Sequence, residues 1–158
     1  MTGYTPYVAA MPEYFEAAVD AVAFQVDGTP APQGSKKGFS RIGSTRVAMV
    51  ESSDKVKPWR AAVKTAGEDA MNGRAPLDGP LTVLITFRLA KPKTVKRDLP
   101  TVYPDLDKLV RSTFDGLTAA GVIADDARIC DLHTYKRYGE PGADITVICT
   151  PDVEAVAA

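Results

Sequence analysis

Four aspartates carry the chemistry that this sequence most plainly offers. Asp105 and Asp107 stand two residues apart in Tyr103-Pro104-Asp105-Leu106-Asp107-Lys108-Leu109, and Asp125-Asp126 follow after the length of a helix. Pro104 disfavours helical backbone in the residue before it, so Asp105 is expected at a helix start and not inside one. Carboxylates at i and i+2 diverge on a regular helix, where only i+3 and i+4 neighbours share a face. They converge if Asp105 is still extended and Asp107 lies in the first turn. A helix ended by Gly121 would then let Asp125 and Asp126 return toward the same helix end. Each aspartate alone has a plainer explanation: Asp caps helices and suits the positive end of the helix dipole, and Asp-Asp is common in surface turns. The combination points further.

Three converging carboxylates need a counter-charge. Two of them about 5 Å apart repel by roughly 3 kcal/mol at an effective dielectric of about 20. Three such pairs cost on the order of 10 kcal/mol, comparable to the whole stability of a domain. A divalent cation removes that penalty, and hard oxygen ligands favour Mg2+ or Mn2+ over zinc. Such a site suits phosphodiester hydrolysis, because the cation polarises a phosphate oxygen and lowers the pKa of an attacking water. Arg111, one turn beyond Asp107, is either its i,i+4 salt-bridge partner or a group that neutralises charge on the phosphate in the transition state. Arg88, Lys91, Lys93, Lys96 and Arg97 place five basic residues in ten just upstream. They form a solvated loop or a clamp on a DNA backbone.

Composition allows this and excludes much else. A chain of 158 residues with 45% hydrophobic content supports one core and is too short for two ordinary domains. No run of apolar residues is long enough to span a membrane, and residues 1–27 contain four acids and no Lys or Arg, unlike a secretory signal. A cytoplasmic protein is expected. Cys130 and Cys149 make neither a disulfide framework nor a zinc motif, and a single histidine, His133, gives a histidine metal site or a Ser-His-Asp triad little material. The net charge of −1 hides an asymmetry: residues 28–150 hold all 19 basic residues against 14 acids, a net of +5. That stretch suits a phosphate backbone.

The elements that must position these residues are legible in outline. Residues 1–21 are an N-terminal extension, with a short helix over Pro12–Asp20, and residues 151–158 are a tail. Val22–Val26 alternates as a strand. Turn formers from Thr29 lead through Pro32-Gln33-Gly34-Ser35 to Lys36 and Lys37, and residues 38–50 make a hairpin around Gly43-Ser44. Residues 57–72 form a helix with Pro58 in its first turn, an apolar stripe of Trp59, Ala62, Val63, Ala66 and Ala70, and Asn72-Gly73 as its stop. Leu81–Leu89 is a core strand with Val83, Ile85 and Phe87 on one face. Residues 91–104 are a loop, and 105–120 are a second helix burying Leu106, Leu109, Val110, Thr113 and Leu117. Residues 128–136 and 145–150 read as strands of a hairpin turned at Gly139-Glu140-Pro141-Gly142, with Cys130 and Cys149 neighbours across it as free thiols. The whole is a small single-domain α/β (α+β) fold, a mixed sheet with two main helices packed on it.

The segment from Asp105 to Asp126 resembles the RusA family of Holliday-junction resolvases, common in phages and prophages. Asp105-Leu-Asp-Lys-Leu-Val-Arg-Ser-Thr-Phe-Asp-Gly-Leu-Thr-Ala-Ala-Gly-Val-Ile-Ala-Asp-Asp126 follows the family's D-L-D-N-L-x-K-x-x-x-D-A-L-x-x-A-G-x-x-x-D-D pattern without a gap. The resemblance covers about residues 22–150, and Pro32–Lys36 is similar to the N-terminal loop of phage members. It implies a Mg2+-dependent homodimer that nicks a four-way DNA junction symmetrically, in a bacterial host. It also implies that Asp105, Asp107 and Asp126 are the essential metal-binding carboxylates. The family's basic catalytic position falls on Arg111, where the pattern has lysine, and Lys108 replaces an asparagine and shares that neighbourhood. Asp115 is expected to be structural. Lys36, Lys37, Lys91, Lys93, Lys96, Arg97 and Lys108 are the expected DNA contacts. The competing readings are a less selective flap or fork nuclease, a non-catalytic DNA-binding module, which an intact aspartate set argues against, and a Mg2+-dependent nucleotide hydrolase, which lacks its phosphate-cradling Gly-rich loop.

Overall fold

The computed structural model describes residues 20–34 and 54–150, with the backbone alone of two short strands at 37–40 and 47–50. The elements run β1 (Asp20–Asp27), β2 (Lys37–Ser40), β3 (Val47–Val50), α1 (Val56–Met71), β4 (Leu81–Leu89), α2 (Leu106–Ala119), a 3-10 turn (Asp126–Arg128), β5 (Ile129–Tyr138) and β6 (Gly142–Cys149). A four-stranded mixed sheet has the order β1-β6-β4-β5, and β2 pairs with β3 as a separate two-stranded ribbon. That ribbon is the hairpin expected over 38–50, although its turn lies outside the described residues. So do the tail and the expected helix over Pro12–Asp20 except for Asp20 itself, which is not helical but opens β1. No described helix is long and apolar enough to cross a membrane.

Periodicity explains both helices. In α1, Val56, Trp59, Val63, Gly67 and Met71 are buried, a three-and-four spacing that makes one apolar stripe. The helix stops where expected, at Asn72 in the left-handed region (φ 46°) followed by Gly73 (φ 78°). In α2 the buried set is Leu109, Val110, Ser112, Thr113, Gly116 and Leu117, and Gly121 (φ 69°) supplies the left-handed residue just past its end. The two helices pack on a row of sheet residues fixed by register. Val22, Val147 and Val83 lie side by side across β1, β6 and β4, as do Phe24, Ile145 and Ile85, and then Val26, Ala143 and Phe87.

The expected hairpin of β5 on β6 does not form. Both strands exist, and residues 139–141 do turn the chain, but β4 lies between them, antiparallel to β6 and parallel to β5. Five successive residues of β4 from Leu81 are buried, and a strand so apolar is stable in the middle of a sheet, with partners on both edges. The turn straps over its end, where the Gly139 amide donates to the Leu89 carbonyl at 2.9 Å. Cys130 and Cys149 are consequently not neighbours across a hairpin: Leu81 separates their strands, paired to Ile129 on one side and Cys149 on the other. Both thiols are free, as expected. His133 is a strand residue in β5.

One contact sets where α2 sits. A Cβ on Gly116 would come within 2.7 and 2.8 Å of Val63 side-chain atoms and 3.3 Å of the Arg60 carbonyl oxygen, so the helices approach on bare backbone. Beside it, the buried Trp59 indole N–H donates to the Thr113 hydroxyl at 3.1 Å, and that hydroxyl donates to the Leu109 carbonyl at 2.8 Å. Arg60 and Asp115 close the same seam as an ion pair of 2.7 Å, which gives Asp115 the structural role expected of it. Gly116→Ala should force the helices apart and cost about 1–3 kcal/mol, as overpacking does. For a domain of this size that lowers the thermal midpoint by roughly 2–4 °C per kcal/mol. A melting curve followed by circular dichroism checks it; an unchanged midpoint would mean that the seam is slack.

Candidate active site

The first turn of α2 forms as the sequence led us to expect. Asp105 has extended backbone (φ −69°, ψ 134°), and Asp107 lies in the first helical turn. The Tyr103–Pro104 bond ahead of them is cis. Asp105 is at the N-cap position, yet its side chain makes no capping hydrogen bond. Its carboxylate instead pairs with Lys108 Nζ at 3.0 Å, and stays about half exposed. That hydrogen bond and the Asp105 charge hold the Lys108 ammonium above its ordinary pKa. Asp107 and Arg111 are both exposed, and among the described residues no ion pair joins them. The i,i+4 bridge that would have explained Arg111 blandly is not made.

Two further devices fix this corner, and neither was anticipated. Lys136 on β5 donates from Nζ to the carbonyl oxygens of Val102 (2.8 Å) and Pro104 (2.9 Å), holding the chain that delivers Asp105. The signal was present: Lys136 pairs with Phe87, so the strand's alternation sets a lysine in the helix-facing row, where it needs acceptors. The second device is the segment ahead of Lys36. Pro30, Ala31 and Pro32 are buried, the Gln33 amide donates to the Lys108 carbonyl at 3.0 Å, and Ser112 Oγ donates to the Ala31 carbonyl at 2.6 Å. The loop therefore runs along the start of α2.

The basic loop between β4 and α2 is tied down at its root. Arg97 Nε donates to the Tyr138 hydroxyl at 3.1 Å, and Lys91 Nζ lies 5.5 Å from the centre of the same ring. Lys93 and Lys96 are exposed. Lys37 opens β2, with only its backbone described, and Lys36 lies outside the described residues. A groove of about 950 Å³ occurs on the other face of the sheet, lined by Thr86, Arg88, Tyr135, Arg137 and Asp144 among others. It contains none of the candidate aspartates.

The expectation that Asp125 and Asp126 return to the start of α2 is not met within one protomer. Because β5 runs parallel to β4, with Ile129 opposite Leu81, the turn that precedes it lies at the beginning of β4. The Arg128–Asp78 ion pair, 2.8 Å, fastens it there. Asp105 belongs to the opposite end, beyond Leu89. The 14 residues of α2 separate the two places by roughly 20 Å. Among the described residues no three His, Cys, Asp or Glu side chains gather into a set for a metal ion, so one protomer alone does not fit the cation that its aspartates imply. Within the second pair the roles divide. Asp125 caps the 3-10 turn, accepting from the Ala127 amide at 2.7 Å, and that bond, with the Asp126 side chain and Arg128, keeps its carboxyl below the usual range. Asp126 is exposed.

The chain can now be set beside known proteins. It is 27% identical over 130 residues to a Bacillus subtilis (strain 168) protein, "Uncharacterized protein YqaN", across 77% of this chain and 91% of that one. The family model described as Endodeoxyribonuclease RusA matches residues 27–148, a span that contains every element from β2 to β6 and both ends of α2 with their aspartates. By that match the chain belongs to the RusA endodeoxyribonuclease family.

Proposed function

We propose that the chain is a Mg2+-dependent, structure-selective endonuclease. It would act as a homodimer in the cytoplasm of a bacterial host and resolve four-way DNA junctions by paired symmetric nicks during recombination and repair. The observation that carries this reading is that the fold makes little use of the carboxylates opening α2, where Asp105 has only its exposed pair with Lys108. Asp105 does not cap, Asp107 takes no ion pair among the described residues, and both stay exposed beside a loop of cations. Two exposed negative charges so close together, with a single lysine to share, are a cost to the fold, and a cation-dependent reaction explains why they stand there.

Asp126 completes the set from a second copy. In an isologous dimer the Asp126 end of α2 in one protomer can meet the Asp105–Asp107 end in the other, and the twofold axis generates two such sites at once. Two equivalent sites are also what paired nicks require. The cation would be held by Asp105, Asp107 and the partner's Asp126, with Mn2+ able to replace Mg2+. Its contribution there is polarisation of the scissile phosphate and a lower pKa for the attacking water. Arg111, which takes no ion pair among the described residues and lies one turn along the same face, meets the phosphate as its charge grows. Lys36, Lys37, Lys91, Lys93, Lys96, Arg97 and Lys108 hold the DNA backbone without reading its sequence.

Asp107→Asn is expected to abolish cleavage of a four-way junction in Mg2+ while folding and DNA binding persist or tighten. Asparagine keeps the size and can serve at a helix start, but it removes a charge that fixes the cation and repels phosphate. Cleavage at near wild-type rate, with labelled junction as substrate, would refute the assignment. Arg111→Ala should lower turnover more than junction affinity, since a contact made in the transition state shows in rate, and Arg111→Lys should recover much of the loss. Single-turnover kinetics beside a gel-shift titration separates the two effects; full activity in Arg111→Ala would reduce Arg111 to a surface residue.

A further inference from the structure

The loop that leads into Asp105 exposes an apolar cluster that the fold does not use. Tyr103 is 70% exposed, and Leu99 and Val102 are 49% exposed each. Three of the four large hydrophobic side chains exposed among the described residues thus lie within five positions of one another, ending two residues before Asp105. The backbone beneath them is held firmly, because Lys136 grips the carbonyls on both sides of Tyr103, at Val102 and at Pro104. Arg97 and Lys91 anchor the root of the loop to Tyr138. The result is an aromatic ring on a braced support, projecting into solvent at the edge of the candidate active site.

Its surroundings indicate what it meets. Lys91, Lys93, Lys96 and Arg97 share the loop, and Lys108 and Arg111 follow on α2. An isologous contact of this patch with its copy would press cations against cations, so a second protomer is a poor occupant. A polyanion with exposed flat apolar faces is a good one. Nucleobases present such faces only where stacking is interrupted, at a branch or in a single strand; within a duplex both faces of each base are covered. Phosphate contacts made by lysines are the same on branched and linear DNA, whereas an aromatic platform distinguishes them.

We propose that Tyr103, flanked by Leu99 and Val102, is a stacking platform for a base exposed at the branch point, and that it makes the chain selective for branched over linear DNA. This rests on the reading of the chain as a nuclease of branched DNA.

The test compares wild-type chain with Tyr103→Ala and Tyr103→Phe, in EDTA so that no cleavage occurs. Affinity is measured for a four-way junction and for a linear duplex of equal length, and dimer formation by sedimentation. A junction with 5-iodouracil at the branch, or ten base pairs out along an arm, reports contact by photocrosslinking. Tyr103→Ala should bind the junction about ten-fold more weakly or worse and lose the branch crosslink, with its duplex affinity and sedimentation unchanged. Tyr103→Phe should keep both the affinity and the crosslink. Equal weakening on junction and duplex would overturn the proposal, as a plain backbone contact gives. Loss of the dimer in Tyr103→Ala would overturn it in favour of a second copy on the patch. If wild type prefers the junction and Tyr103→Ala prefers it equally, only this proposal fails; if wild type shows no preference, the underlying reading fails with it.

Discussion

Helix α2 lies as close to α1 as it does because residue 116 has no side chain, and that contact helps set where the two ends of the helix, with their aspartates, fall. With Gly116 against Val63 and the Trp59 indole bonded to Thr113, α2 is fixed along its length. Its first turn then presents Asp105, Asp107 and Arg111 at one end of the sheet, and its last turn sends the chain to Asp126 at the other. The same helix anchors the Pro30–Gly34 segment through Lys108 and Ser112. A rigid helix about 20 Å long thus separates two acidic stations that a single cation would have to join. On the proposed reading, this separation makes a dimer part of the chemistry.

Charge is arranged around that helix with economy. The fold spends some acids on internal work: Asp115 on Arg60, Asp78 on Arg128, Asp144 on Arg88, and Asp125 on the cap of its own turn. Among the described residues Asp107 takes no ion pair, Asp126 has only its contact with the Asp125 side chain, and Asp105 has only Lys108. Exposed ion pairs of this kind contribute little stability, so the Asp105–Lys108 pair is readily exchanged for a cation or for a phosphate on the lysine. The surplus of cations in the central part of the chain gathers in the loop ahead of α2, where long-range attraction to a phosphate backbone and short-range contact at the aspartates coincide.

Local structure was largely legible in the sequence, and long-range placement was not. Leu81–Leu89 has the boundaries read from its alternation, and Asn72-Gly73 and Gly121 end the helices because each puts a left-handed residue where a helix must stop. Pro104 keeps Tyr103 out of a helix, which put the helix start at Asp105, and there Asp105 is extended and Asp107 helical. What failed was the pairing of distant segments. The turn at residues 139–142 is real, but a turn specifies only that the chain reverses, and β4, more apolar than either flanking strand, takes the central place between them. The return of Asp126 failed for a related reason. Once β4 and β5 are parallel, a strand-helix-strand crossover necessarily puts the residue before the second strand at the opposite end from the residue after the first. Reading the 128–136 strand as a partner of 145–150 concealed that geometry. Lys136 was passed over because its importance lies in two backbone carbonyls more than thirty residues away.

The central claim, that each nucleolytic site joins Asp105 and Asp107 of one protomer to Asp126 of the other, is tested most directly by subunit complementation. Asp107→Asn and Asp126→Asn chains, differently tagged and purified as the mixed dimer, are incubated with a labelled four-way junction in Mg2+. Each homodimer should be inert. The mixed dimer concentrates both substitutions in one site and leaves the other intact, so it should nick one strand of the junction and not two. A mixed dimer as inert as its parents would contradict the account, since it would mean that all three aspartates must belong to the same chain.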